Sequence, residues 1–380
     1  MKLTKLFTLF LAVLLLAGLT TGCSSTAGTI TTEDAGHTPN VVSPFQPDGY
    51  ELALITDAGT VDDKAFNQGA WEGLKAYADE FSIFCNYYQP VDDGISFYLD
   101  AVALAVEGGA KIIVTPGFLF EESVYIAQEQ YPEVHFILLD GTPHDENDEN
   151  TRIAPNTVSV SYAEEQSGFL AGYAAVKDGY RRLGFMGGVG VPQVVRFGYG
   201  FVQGADCAAV ELGLNAGDVT LKYNYTNVFW ATPEVQTMAG SWYNGGVEVI
   251  FACGGAMGSS VVAAAQAADA KVIGVDIDQS GESDVIITSA MKELSISVYD
   301  CIKAYYDGNF PGGQNITFRA ENNGVGLPMD TSRFNLFTQD EYDAVYARLA
   351  NESIRIFDDT TGNLTASDVP VEVVDVTVVD

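Results

Sequence analysis

Ten short apolar runs punctuate the chain. They are YELALIT (50–56), SIFCNYY (82–88), KIIVTPG (111–117), VHFILLD (134–140), TVSVSY (157–162), RLGFMGG (182–188), VTLKYNY (219–225), VEVIFACGG (247–255), KVIGVDI (271–277) and DVIITSA (284–290). Most are separated by 10 to 20 residues of helix-period sequence, such as SFYLDAVALAVEGG (96–109) and SSVVAAAQAADA (259–270). Continuous apolar strands alternating with helices predict parallel sheets covered on both faces. The pattern also repeats. GGAKIIVTPG (108–117) has the form of GGVEVIFACGG (245–255), and each leads to a strand ending in aspartate: Asp140 lies 32 residues beyond Gly108, and Asp276 lies 31 beyond Gly245. In a chain well above the roughly 150 residues of one domain, two such units predict an α/β protein with two doubly wound, Rossmann-like lobes and a central ligand cleft.

Open parallel sheets bind ligands beyond the carboxyl ends of their strands. Those ends carry Asp57, Pro116 and Gly117, Asp140, Gly187, Gly254 and Asp276, so carboxylates and close-approach glycines converge on the expected cleft. Asp62 and Asp63 are equally good helix caps. The stretch TDAGTVDDKAFNQGAWEGL (56–74) places a ring, Phe66, and a two-way hydrogen-bonding amide, Asn67, where a strand feeds a helix. Pattern alone offers another use for Phe66, because Phe66, Ala70, Leu74 and Ala78 recur every fourth residue, as a helix core face does.

Charge narrows the ligand. The chain has 18 basic and 51 acidic residues, a formal charge of −33; removing residues 1–22, with Lys2 and Lys5, leaves 16 basic residues and −35. Such a surface repels nucleic acid and anionic lipid and favours a neutral or cationic small ligand. The removable segment is MKLTKLFTLFLAVLLLAGLTTGC (1–23), with two lysines, a short apolar run and small residues before Cys23. It reads as a signal peptide over 1–22. TTGC resembles a bacterial lipobox, with Thr20 where leucine is commoner, which makes Cys23 the lipidation site. Residues 23–48 read as a flexible tether. The expected body comprises an N-terminal lobe of 49–157 plus 290–326 and a C-terminal lobe of 158–289 plus 327–380. The crossovers are expected near 155–160, 285–292 and 325–330.

Catalytic signatures are missing. The three histidines, His37, His135 and His144, form no ligand-spaced cluster, and no HExxH, GxSxG or phosphate-binding GKS/GKT loop occurs. DIDQSGESD (276–284) opens like a calcium loop, but Ile287 stands where the bidentate glutamate is needed. Cys85, Cys207, Cys253 and Cys301 show no CxxC spacing; buried thiols or one disulfide are both open. No cofactor or metal is expected, and an enzyme is disfavoured.

ITDAGTVDDKAFNQGAWEGL (55–74) resembles the opening signature of the basic membrane protein family of bacterial lipoproteins. The likeness continues through EEQSGFLAGYAA (164–175), LGFMGGVGVPQVVRFGYGFVQGA (183–205), VEVIFACGGAMGSSVVAAA (247–265), VIGVDIDQS (272–280) and IITSAMKELSISVYDCIKA (286–304). Ala65 departs from it, standing where serine is usual. The resemblance implies a type I periplasmic binding protein-like fold. It also implies a purine nucleoside receptor, lipid-anchored on the extracytoplasmic face of the cell membrane, that delivers ligand to an ABC permease and ATPase encoded elsewhere. It places Phe66 and Phe197 on the two faces of a base, with Asn67, Asp57 and Asp140 on the base side. Asp276 and Lys292 take the ribose, and the Gly254-Gly255-Ala256-Met257 turn offers amides and a thioether wall. A monomer is the default expectation. The alternatives are a receptor for a sugar or other small polar metabolite, a tethered sensor, and a nucleoside-processing enzyme.

Overall fold

The computed structural model describes residues 41–42, 49–57, 59–358, 360 and 364–379. The signal segment and Cys23 lie outside the described residues. Each of the ten expected apolar runs carries one strand. The first sheet collects β1 (Val41–Val42), β2 (Leu52–Ile55), β3 (Cys85–Pro90), β4 (Ile112–Pro116), β5 (His135–Leu139) and β6 (Thr157–Tyr162), with helices α1 (Phe66–Phe81), α2 (Ile95–Glu107) and α3 (Glu121–Gln130) between them. The chain then builds α4 (Glu164–Lys177), β7 (Arg182–Gly187), α5 (Pro192–Glu211), β8 (Val219–Tyr225), α6 (Pro233–Asn244), β9 (Val249–Cys253), α7 (Gly258–Ala268), β10 (Lys271–Asp276) and β11 (Ile286–Lys292). It returns through α8 (Leu294–Tyr306) and β12 (Gln314–Phe318) to the first sheet. It ends in the second with β13 (Val325–Gly326), α9 (Gln339–Ala350) and β14 (Val374–Val378).

The strand orders are β1-β3-β2-β4-β5-β6-β12 and β13-β11-β10-β9-β7-β8-β14. Among the strands of the two sheets in the described residues, only β1 with β3 and β11 with β13 pair antiparallel. The central strands are buried along their whole length, which is what continuous apolar runs require. The repeat is real in three dimensions: β4, a 3-10 turn, α3 and β5 correspond to β9, a 3-10 turn, α7 and β10. In both copies the terminal aspartate adopts left-handed backbone, with φ 56° at Asp140 and 68° at Asp276. A short carboxylate side chain tolerates this conformation better than a branched one would.

The expected lobe boundaries meet the strands as follows. Residues 158–162, expected in the C-terminal lobe, lie in β6 and pair with β12 in the first sheet. Residues 290–292, expected in the N-terminal lobe, complete β11 in the second. The chain therefore leaves one sheet for the other at Ala163, Glu293 and 319–324, because each ladder runs to the strand tip before the turn. Residues 41–42 of the expected tether are docked on the edge of β3. Sequence pattern missed β1, β12, β13 and β14. β12 has no buried residue and β14 alternates at a sheet edge, so neither produces a continuous apolar run.

Helices α4 and α5 cross at near backbone contact through reciprocal Gly-x-x-x-Gly pairs. A Cβ on Gly168 or Gly172 would come 2.1 Å from the carbonyl oxygens of Phe197 and Phe201. One on Gly200 or Gly204 would come 2.0 and 1.9 Å from those of Glu165 and Phe169. Only glycine permits this approach, and it sets where Phe197 meets the cleft and where Glu164 is buried behind it. Two buried aspartates fasten the C-terminal region. Asp178 Oδ1 accepts from the backbone N–H groups of Asn335, Leu336 and Phe337, and the Asp206 carboxylate accepts from those of Glu372, Val373 and Val374.

Candidate functional site

The carboxyl ends of both sheets face a cavity of about 250 Å³. That is near the lower end of small-molecule cavities and is sized for one small ligand. Nine of the ten expected ligand-binding residues line it: Asp57, Phe66, Asn67, Asp140, Phe197, Gly254, Gly255, Asp276 and Lys292. Met257 does not. The 3-10 turn over Gly255–Met257 rolls its third residue inward, and the Met257 side chain is fully buried in an apolar cluster with Ala252 and Val261. The turn keeps its close approach, since a Cβ on Gly254 would lie 2.9 Å from the backbone of Gly188.

One end of the cavity is built by the loop after β2. Asp63 caps α1, accepting from the N–H groups of Ala65 (2.9 Å), Asn67 (3.0 Å) and Gln68 (3.1 Å), which is the capping role open to it in the sequence. Asn67 donates to Asp57 Oδ1 at 2.8 Å and to Asp63 Oδ2 at 2.9 Å. Both of its donor hydrogens are thus engaged inside the protein, and the amide holds Asp57 in place. Gly59 N–H also donates to Asp57 Oδ1 at 2.9 Å, leaving Oδ2 toward the cavity. Burial pushes the Asp57 carboxyl up to about 6, against the pull of those two donors.

The other end is a buried ionic cluster. Lys292, 3 % exposed at the tip of β11, donates to Asp140 Oδ2 across the cleft. Its Nζ lies 3.1 Å from Glu164 Oε1 and 3.8 Å from Asp276 Oδ1. Arg196 holds the other Glu164 oxygen at 2.6 Å. Two cations face three carboxylates, a formal charge of one negative when all three are ionised. Burial works against the charge on Lys292, yet Asp140, Glu164 and Asp276 together hold its pKa above the ordinary value. Burial pushes the Asp140 carboxyl up to about 7 despite Lys292, with repulsion from Glu164 and Asp276 adding to it; burial likewise pushes Asp276 up to about 6 against the pull of Lys292, with repulsion from Asp63, Glu164 and Asp57. The structure therefore groups Asp140 with Lys292 and Asp276, not with Asp57 and Asn67.

Aromatic surface joins the two ends. Lys292 Nζ lies 4.9 Å from the Phe66 ring centroid and 5.2 Å from that of Phe197. The two centroids are no farther apart than the sum of those distances. Phe66 is half-buried at the cleft rather than sealed in the core, whereas Phe197 packs edge-on against Phe251 at 5.8 Å. Sequence reasoning missed Phe118 and Leu119 after β4, Gln193 at the start of α5, and Phe229 and Trp230 after β8. The adjacent aromatics in NVFWATPE, just before the helix capped by Thr232, were the one local signal available. Cys253 also lines the cavity, and Cys85, Cys207, Cys253 and Cys301 are all free thiols. No helix among the described residues is long and apolar enough to cross a membrane.

Comparison with known proteins supplies a context for this geometry. Residues 50–360 match the family model described as ABC transporter substrate-binding protein PnrA-like. The chain is 29 % identical over 305 residues to an ABC transporter nucleoside-binding protein, BmpA, of Lactococcus lactis, covering 74 % of this chain and 82 % of that one. It is 29 % identical over 311 residues to basic membrane protein A1 of Borrelia garinii, covering 80 % and 87 %. A solved ABC transporter solute-binding protein from Aeropyrum pernix matches with a TM-score of 0.65 over 84 % of each chain at 23 % identity. One from Conexibacter woesei matches with 0.65 over 82 % of this chain and 99 % of that one, at 22 % identity. At such identity the solved structures speak to fold alone, and the fold is that of these two-lobed solute-binding proteins.

Proposed function

Because the chain belongs to the PnrA-like ABC transporter substrate-binding proteins, we propose that it captures a purine nucleoside between its lobes and delivers it to an ABC importer. Proteins of this family bind and do not catalyse. The observation that carries the ligand reading is the pair of rings, Phe66 and Phe197, that line one cavity together with Asp57, Asn67, Asp140, Asp276 and Lys292. A flat heterocycle sandwiched between two rings needs about 7 Å between them, two van der Waals contacts, and base–aromatic stacking contributes roughly 1–3 kcal/mol per base. Asp57, oriented by Asn67, is an acceptor for base N–H groups. Asp276 accepts from ribose hydroxyls, and Lys292 steadies the acid around the sugar. Asp140 joins this sugar side. A nucleoside, neutral and rich in donors, suits an acceptor-lined cavity in a protein of charge −33 better than a nucleotide does.

In this reading Cys23 carries a lipid that holds the receptor on the extracytoplasmic face of the membrane. The body acts as a monomer, and the permease and ATPase are separate chains. Three crossovers between the sheets are the architecture that hinged closure uses. Trp230, 57 % exposed on the cavity lining, is a built-in reporter. Its fluorescence is expected to change saturably with inosine, guanosine or adenosine and to ignore ribose. A response to ribose alone sinks the nucleoside reading and favours a sugar receptor.

A further inference from the structure

We propose that Gln193 reads a hydroxyl of the bound sugar, and that it does so only when the two lobes are closed; the inference rests on the cavity being a nucleoside site. Gln193 lies in the first turn of α5, in the second lobe, and lines the cavity. Its Nε2 donates at 2.6 Å to the main-chain carbonyl of Asp140, at the tip of β5 in the first lobe. A carbonyl oxygen can only accept, so the NH₂ end of the amide must face it, and the orientation of the side chain is fixed by chemistry. Oε1 is thereby aimed elsewhere. It is buried and has no hydrogen-bond partner among the described residues, and Asp140 Oδ1 is in the same condition. Buried acceptors are almost always paired, and an unpaired one is costly. Both residues line the cavity, so a bound ligand is the natural source of the missing donors.

The position of these acceptors says which half of the ligand supplies the donor. Gln193 is bonded to Asp140, Asp140 to Lys292, and Lys292 approaches Asp276, so all four form one connected cluster. Asp57, the base-side acceptor, follows β2, which is separated from β5 by β4. Two strand spacings are roughly 10 Å, about the length of a nucleoside. A donor reaching Gln193 Oε1 is therefore a sugar hydroxyl and not a base amine. Because the bond that orients Gln193 spans the two lobes, opening the cleft releases the amide and erases the preference. Gln193 thus makes recognition of the hydroxyl conditional on closure.

The test is a cycle of variant against ligand analogue. Dissociation constants are measured for a purine ribonucleoside and its 2′-, 3′- and 5′-deoxy analogues, on the full-length wild type and on Gln193→Leu. One analogue is expected to bind the wild type at least about tenfold more weakly than the parent. Gln193→Leu is expected to abolish that difference while preserving the penalties of the other two. Gln193→Met, closer in shape to glutamine, gives the same reading should the leucine variant fail to fold. The inference is overturned if the variant weakens every ligand equally, alters only discrimination between guanosine and inosine, or changes nothing. A wild type that binds no purine nucleoside overturns the underlying ligand reading as well, so the two failures are distinguishable.

Discussion

Replacing Lys292 by methionine tests the energetic heart of the site. The substitution keeps the length and apolar stem of the side chain but removes the ammonium shared by Asp140, Glu164 and Asp276. Breaking a buried ion pair from one side costs about 3–5 kcal/mol, because the remaining charge is left without compensation. Opening the cleft lets water reach Asp140, but it does not relieve Glu164, which is fully buried on α4 against α5. Arg196 then stands alone against the acids. For a body of this size, about 2 °C of melting temperature is lost per kcal/mol, so calorimetry at pH 7.5 is expected to show a drop of about 6–10 °C. The loss must shrink at pH 5. Asp140 and Asp276, pushed up to about 7 and 6, are mostly protonated there and no longer need the cation. An unchanged melting temperature at pH 7.5, or an equal drop at both pH values, refutes the assignment of Lys292 as the neutralising charge.

Other consequences are independent of that variant. Phe66→Ala removes one stacking face and is expected to weaken a purine nucleoside by roughly 5- to 150-fold, read by calorimetric titration; an unchanged affinity points to a ligand without a flat ring. The raised carboxyls give a signed pH dependence. Asp57 and Asp276, at about 6 in the folded protein and about 4 unfolded, keep their protons longer when folded, so the unliganded protein loses stability as pH rises from about 4 to 7. Ligand donors need the ionised forms, so affinity is expected to rise roughly tenfold per carboxylate from pH 5 to 7.5, with proton release on binding; a flat profile contradicts the acceptor roles. Asp206→Ala strips three backbone N–H groups of their acceptor. It is expected to cost about 1–3 kcal/mol and to accelerate amide exchange across β14 before the rest of its sheet.

Much of this arrangement is legible in the sequence, and the reasons differ by residue. The central strands were legible because a strand covered on both faces must be apolar throughout, and β3 and β8 because buried positions still recur through a short run. Asp57, Asp140 and Asp276 were legible because each ends such a strand, and strand ends build the cleft. What failed was anything decided by a partner far along the chain. Gln193 follows a proline at a helix start, and its significance comes from Asp140, 53 residues earlier. Asn67 lines the cavity, but both donor hydrogens of its amide are taken by Asp57 and Asp63, partners that the sequence does not bring next to it. Met257 follows two site glycines in sequence, but the tight turn carries it into the core. Edge strands such as β12 leave too faint a pattern because half-exposed positions do not need to be apolar.

The most direct measurement is isothermal titration of the purified protein, freed of carried-over ligand, with adenosine, guanosine, inosine, cytidine, uridine and ribose. Binding of at least one purine nucleoside at micromolar strength or better, about −8 kcal/mol, with no heat from ribose, is the result this account predicts. Silence from every purine nucleoside by a folded protein, or binding of ribose as tight as that of its nucleosides, contradicts it.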